Sequence, residues 1–106
     1  MAVATVVTWK VRTGRFADFM TPASEAKKIL ERVGGRVRAW QPIVGGEPGT
    51  VSFVVEHDDL AAYAEYSAKL QSDGEWQALI QKYVLANSDP TADIIRSALI
   101  TEVPGL

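Results

Sequence analysis

Apolar and polar positions change period several times along the chain, and each change marks an element. Ala2–Val11 (AVATVVTWKV) is rich in β-branched residues and carries no Gly or Pro. Val3, Val7, Trp9 and Val11 fall on one parity, Ala4 and Val6 on the other. Half-buried strands alternate, whereas strands covered on both faces read as near-continuous apolar runs. The segment therefore reads as a strand covered on both faces, at least in its first half, and Thr13-Gly14 punctuates it. From Arg15 to Val33 the apolar residues are Phe16, Phe19, Met20, Ala23, Ala26, Ile29, Leu30 and Val33, at steps of three and four that draw one helical stripe. Pro22 lies inside it, where proline removes a donor and clashes with a preceding carbonyl at a cost of about 3 kcal/mol. The helix either kinks there or restarts with Thr21 as N-cap and Pro22 at its first position. The unbroken stripe favours one kinked unit, closed by Gly34-Gly35.

Arg36–Val44 alternates as a strand until Pro42, which places it at a sheet edge. Gly45-Gly46-Glu47-Pro48-Gly49 is a turn and Thr50–Glu56 the returning strand, so the pair reads as a hairpin. Asp58 is positioned to cap a helix carrying Leu60, Tyr63, Ala64, Ser67 and Leu70 on one side. Ser72-Asp73-Gly74-Glu75 matches a Ser-x-x-Glu capping box, followed at helical spacing by Trp76, Leu79, Ile80, Tyr83 and Val84. Asn87-Ser88-Asp89-Pro90 breaks that helix, and Ile94–Val103 is a last strand, again apolar on both parities.

The order β-α-β-β-α-β, with a second short helix before the last strand, predicts an α+β ferredoxin-like sandwich with a four-stranded antiparallel sheet and its helices on one face. The first, third and last strands nevertheless carry Val6, Val54 and Ile100 on the second parity. A bare sheet face of that character is an exposed apolar patch, which marks an interaction surface. A two-fold homodimer, sheet on sheet, is the expected solution.

Composition narrows the picture further. The 106 residues are 47% hydrophobic and 23% charged, as in soluble globular proteins, and are expected to form one domain over 1–106. No apolar run approaches the length of a membrane span and no signal-like segment opens the chain, so the expected location is cytoplasmic, without membrane insertion. The absence of cysteine excludes a disulfide scaffold, a thiolate metal site and a thiol nucleophile. A net charge of −2 argues against a nucleic-acid partner, which calls for a concentrated basic face.

Two stretches carry a resemblance. TWKVRTGRFADFM is similar to the strand, Val-Lys-Pro-Gly-Lys, helix opening of the dimeric α/β-barrel superfamily, with Thr13 standing where those families usually have proline. VSFVVEHDDLAAYAEYSAKLQSDGEWQALIQKY resembles their third strand, Ala/Tyr-rich helix and terminal Trp-containing helix, most closely in NIPSNAP-type members. The superfamily includes the antibiotic-biosynthesis monooxygenase-like, stress-responsive barrel and NIPSNAP-like groups. The resemblance implies a dimeric α/β barrel with a pocket between sheet and helices or inside the barrel. It implies no particular reaction, because members include monooxygenases, haem-degrading enzymes, isomerases, decarboxylating enzymes and proteins with no known activity.

The candidate chemistry is sparse, and each candidate has a structural alternative. His57, the one histidine, and Glu56 are the candidate catalytic residues at the end of the third strand. An imidazole titrates near 6.5 and there would shuttle a proton at a pocket mouth. The alternative is that Asp58 caps the helix and His57 is solvated. One histidine with adjacent carboxylates lacks the ligand spacing of a metal site, so no metal is expected. Arg38, Trp40, Ser52 and Arg96 are the candidate ligand-binding residues. If the parity of Val51, Phe53 and Val55 faces the helices, Ser52 and Glu56 face the dimer side, and Arg38, Trp40 and Arg96 can join them. An arginine there would bind a carboxylate or enolate oxygen, and Trp40 would stack on a planar ligand. The alternative makes Arg38–Glu56 a cross-strand ion pair and Trp40 part of a dimer core. No serine stands in a nucleophile elbow, and Gly45–Gly49 opens no phosphate-binding helix.

Three functional classes follow. The first is a homodimeric, NIPSNAP-like protein binding a small apolar or aromatic ligand, without a cofactor. The second is a cofactor-independent monooxygenase or isomerase acting on an enolisable aromatic substrate, with Arg38 or Arg96 stabilising the enolate and His57 or Glu56 accepting the proton. The third is haem handling, with its visible absorption band. The small number of polar candidates favours the first.

Overall fold

The computed structural model describes residues 1–106. Four strands, β1 (Val3–Val11), β2 (Arg36–Trp40), β3 (Thr50–His57) and β4 (Ala92–Thr101), form one antiparallel sheet in the order β2-β3-β1-β4. Three helices, α1 (Phe16–Arg32), α2 (Leu60–Gln71) and α3 (Gly74–Ile80), pack on one face of it, and α3 continues into one π-helical turn at Gln81–Leu85. This is the predicted ferredoxin-like α+β arrangement.

The register sorts every strand residue onto a face. On the helix side, Val37, Val55, Thr5 and Leu99 share one rung, and Ala39, Phe53, Val7 and Ser97 share the next. On the other side the rungs read Arg36–Glu56–Ala4–Ile100, Arg38–Val54–Val6–Ala98 and Trp40–Ser52–Thr8–Arg96. A bulge opposite Thr8/Trp9 leaves Ile95 as the extra residue of β4 and keeps Ile94 on the helix side with Trp9.

Helix ends follow local chemistry, with two differences from the sequence expectations. Pro22 lies within a single α1, where Ser24 Oγ donates to the Met20 carbonyl at 2.8 Å. The N-cap of α2 is Asp59, not Asp58: β3 extends through His57, so the helix starts one residue later and Asp59 Oδ1 accepts from the Ala62 N–H at 2.7 Å. Asp58 is left to pair with Arg36 at 3.0 Å. The N-cap of α3 is Asp73, one residue past the expected Ser72, which instead ends α2. Asp73 accepts from the Trp76 N–H at 2.9 Å and holds Arg32 of α1 at 2.7 Å. The last strand likewise starts at Ala92 and ends at Thr101, two residues earlier than expected at each end.

The core divides into two clusters bridged by Phe53. One joins Val11, Phe19, Ala23, Val51 and Ala92; the other joins Leu30, Val33, Val37, Val55 and Tyr66. Gly35 is where α1 turns into β2 against this second cluster. A Cβ there would lie 2.6 Å from Val55 Cγ1 and 3.1 Å from the Tyr66 ring, so only glycine fits.

The chain is flat, 42 × 37 × 17 Å, and its radius of gyration of 14.5 Å exceeds the roughly 13 Å of a compact domain this long. It exposes 6974 Å² where a self-contained 11.5 kDa protein exposes about 5,800 Å². Two regions account for this openness. No helix covers the far side of the sheet, where Ile100 is half exposed, and the helices do not reach over β4, where Ile94 and Leu99 are about half exposed. No helix is long and apolar enough to cross a membrane.

Candidate functional site

A cavity of about 340 Å³ lies between the two core clusters, under the helix layer. β1 supplies Thr5, Val7 and Trp9 to its wall, β3 supplies Phe53 and Val55, and the helices supply Phe19, Leu30, Tyr63, Tyr66 and Trp76. Tyr83 and Val84 of the π-helical turn close part of it, and Ala92 and Ile94 line it from β4. It exists because helical spacing sends large rings inward from α1, α2 and α3, while the short helices stand away from the β4 edge. Trp9 and Phe19 meet at 6.2 Å between ring centroids, tilted by 51°, which props the two layers apart. No carboxylate, amine or guanidinium lines the cavity. Its polar atoms belong to threonine, serine, tyrosine and tryptophan, and burial pushes the Tyr66 phenol up to about 12, keeping it neutral.

His57 lies on this side of the sheet and is only 2% exposed, which corrects the expectation of a solvated strand end. Its ring packs against Tyr66 at 4.4 Å and Tyr63 at 5.4 Å between centroids. Burial, followed by the charge of Arg36, holds the imidazole below its ordinary range, with Asp58 opposing. Its Nε2 has no hydrogen-bond partner. Glu56, the adjacent residue, is exposed and belongs to the opposite face, on the rung with Arg36.

Arg38, Trp40, Ser52 and Arg96 all fall on that opposite face, within two adjacent rungs. Ser52 bonds Thr8 across the β1–β3 ladder at 2.8 Å. Trp40 is 57% exposed. Arg96 approaches Glu47 of the β2–β3 loop at 3.9 Å, and the same glutamate reaches Lys10 at 3.8 Å. The ion pair considered between Arg38 and Glu56 is replaced by Arg36–Asp58, two residues earlier and two later. Trp40 and Arg96 stand on opposite edges of the sheet, about 14 Å apart at a strand spacing near 4.8 Å. The sheet itself separates these four residues from His57.

Thr5 is the residue that the sequence reading passes over. Thr5 is in the cavity wall, and its hydroxyl is closed to solvent and without a partner. The signal was a single hydroxyl on the otherwise apolar parity of Val3, Val7, Trp9 and Val11. No group of three or more His, Asp or Glu side chains converges as a metal site would require.

No protein-family model matches the chain. No curated protein matches it in sequence. Solved structures do match over nearly its whole length. A NIPSNAP domain protein from Burkholderia xenovorans superposes with a TM-score of 0.70 at 20% identity, covering 100% of this chain and 98% of its own. A NIPSNAP family protein from Agrobacterium tumefaciens gives 0.71 at 17% identity, over 99% and 96% of the two chains. A DABB family protein with a ferredoxin-like fold from Mesorhizobium loti gives 0.63 at 18% identity, over 97% and 96%. At these identities the likeness is one of fold, and it agrees with the resemblance carried by the strand–helix segments.

Proposed function

We propose that this chain, with the fold of NIPSNAP-type proteins, is a homodimeric binding or accessory protein that holds a small, largely apolar or aromatic ligand between sheet and helices. The observation that carries this reading is the cavity of about 340 Å³, walled by aromatic and aliphatic side chains and free of charged groups. Small-molecule sites have this form, mostly apolar with a few polar atoms that fix orientation. The uncovered sheet face supports the dimer. The surface in excess of a self-contained chain is of the order that a partner removes in a standard interface, about 800 Å² per side. In this reading Arg38, Trp40, Ser52 and Arg96 face the second copy and line the space between the two sheets. Enolate chemistry pairing an arginine with His57 is disfavoured within one chain, because the sheet stands between them.

The test is native mass spectrometry of the protein as purified, followed by the same sample denatured. A dimer carrying additional small-molecule mass is the expected result. A monomer with no added mass, unaltered by a panel of aromatic ligands, overturns the reading.

A further inference from the structure

The uncovered face of the sheet carries three rungs on four strands, a nearly square patch about 14 Å each way. Three arginines stand on it, Arg36 and Arg38 on β2 and Arg96 on β4. Two copies that pack such faces on each other are related by a two-fold axis lying between the sheets. The contact is then isologous: where one residue faces a second, the second faces the first. Four directions of that axis lay a square patch back on itself. An axis across the strands sets Arg38 against the partner's Arg38. The two diagonal axes set Arg36 against the partner's Arg96, or each of the two against its own copy. Charges of one sign opposed in this way repel. An axis along the strands, between β3 and β1, opposes no like charges on these rungs. It sets Arg38 on the partner's Ala98, Val54 on the partner's Val6, Ser52 on the partner's Thr8 and Trp40 on the partner's Arg96. It also gives aligned packing, with the strands of both sheets running close to parallel, as in β-sandwiches.

We propose that the second copy docks with its two-fold axis along the strands, so that Trp40 of each protomer stacks on the partner's Arg96, once at either edge of the interface. This rests on the homodimer reading above and fixes how the two copies are turned. Trp40 and Arg96 end the same rung, too far apart to meet within one chain, and both are exposed. Facing sheets lie about 10 Å apart, a gap that an indole and an arginine side chain fill from opposite sides, with the cation over the ring face. The guanidinium is weakly hydrated and stacks on aromatic faces, so it suits a place between two sheets better than an ammonium. Within the chain Arg96 has only a long contact to Glu47, 3.9 Å, and such an exposed pair is worth little to give up. β4, exposed beyond Ala92, is covered on this face by the partner's β2.

Cross-linking reads the axis directly, because the chain contains no cysteine of its own. Trp40→Cys, Arg96→Cys and Arg38→Cys are each treated alone with a short bismaleimide, and the first two also as an equilibrated mixture. Covalent dimers are identified by intact mass. The expected result is that the mixture yields the mixed covalent dimer and that each variant alone yields none. The mixed dimer keeps one Trp40–Arg96 stack intact, so the substitutions that report the contact do not abolish it. Self-linking of Arg38→Cys, the mark of an axis across the strands, overturns the proposal and leaves the homodimer standing. Self-linking of Trp40→Cys or of Arg96→Cys, the marks of the two diagonal axes, does the same. Absence of every cross-link overturns it too, and sedimentation of the wild type then separates the two readings: a dimer places the interface elsewhere, and a monomer removes the homodimer as well.

Discussion

Val54→Asp probes the uncovered sheet face at its centre. Val54 lies on β3, an interior strand, on the rung Arg38–Val54–Val6–Ala98, with no helix on that side. The chain exposes 6974 Å², roughly 1,200 Å² more than a self-contained protein of its mass, so a partner has at least a standard half-interface to cover. In a two-fold dimer each copy then loses the burial of a valine, about 1.5–3 kcal/mol, and gains a carboxylate that must be desolvated or hydrated by opening the contact. A floor of about 3 kcal/mol per copy sums over two copies to a dimer weakened by roughly four orders of magnitude in Kd. Sedimentation velocity across a wide concentration range reads this directly, with Lys28→Glu on the exposed side of α1 as a control for added negative charge. The wild type and control sediment as dimers, and the Val54→Asp protein as a folded monomer. A wild type that is monomeric at every concentration, or a Val54→Asp protein that sediments with it as a dimer, refutes the reasoning.

Three further expectations concern the protomer. Gly35→Ala places a methyl 2.6 Å from Val55 Cγ1 and 3.1 Å from both the Leu30 carbonyl and Tyr66, and overpacking of this kind costs about 1–3 kcal/mol. A urea midpoint equal to that of the wild type counts against the close approach. Asp59→Ala removes the side chain that caps α2 and lowers stability by about 1 kcal/mol, read by the same titration; a matching loss in Asp58→Ala but none in Asp59→Ala would restore the sequence-based cap. Acidification probes His57. Its folded-state titration lies below the ordinary imidazole range, so the unfolded chain takes up the proton first. Its contribution to stability is full above pH about 6.5 and falls as pH drops through the window below, with a slope of at most about 1.4 kcal/mol per pH unit. His57→Phe flattens that limb, and an unchanged slope in the variant places the titrating group elsewhere.

The architecture is legible in the sequence because it rests on period. β1 and β4 carry apolar residues at both parities, yet helices cover only one face of the sheet and β4 is exposed beyond Ala92, while α1 keeps its stripe through Pro22 because Phe19 and Ala23 reach one core cluster and Leu30 the other. Helix caps are legible to within one residue. Asp58 and Asp59 are chemically identical caps, and the choice between them depends on how far β3 continues, which pairing with β1 decides. The candidate site is less legible. Nothing in Glu56-His57-Asp58-Asp59 marks the histidine as interior; its burial comes from Tyr63 and Tyr66, which cover it only after α2 folds back over β3. The parity shared by Arg38, Trp40, Ser52 and Arg96 is readable, and the sheet width separating Trp40 from Arg96 is not. That width follows from β1 lying between β3 and β4, a long-range pairing.

The central place of β1 also governs how the chain comes to be folded. β1 is complete by residue 11, and β4, which closes its second edge, ends at Thr101. The nine-residue strand therefore keeps one row of backbone donors and acceptors unpaired until β4 docks beside it. Closing so long a loop makes the last pairing slow compared with the helices and the β2–β3 hairpin, which need only local contacts. A chain that lacks β4 leaves the β1 edge unpaired, and an unpaired strand edge is a template for pairing with another copy.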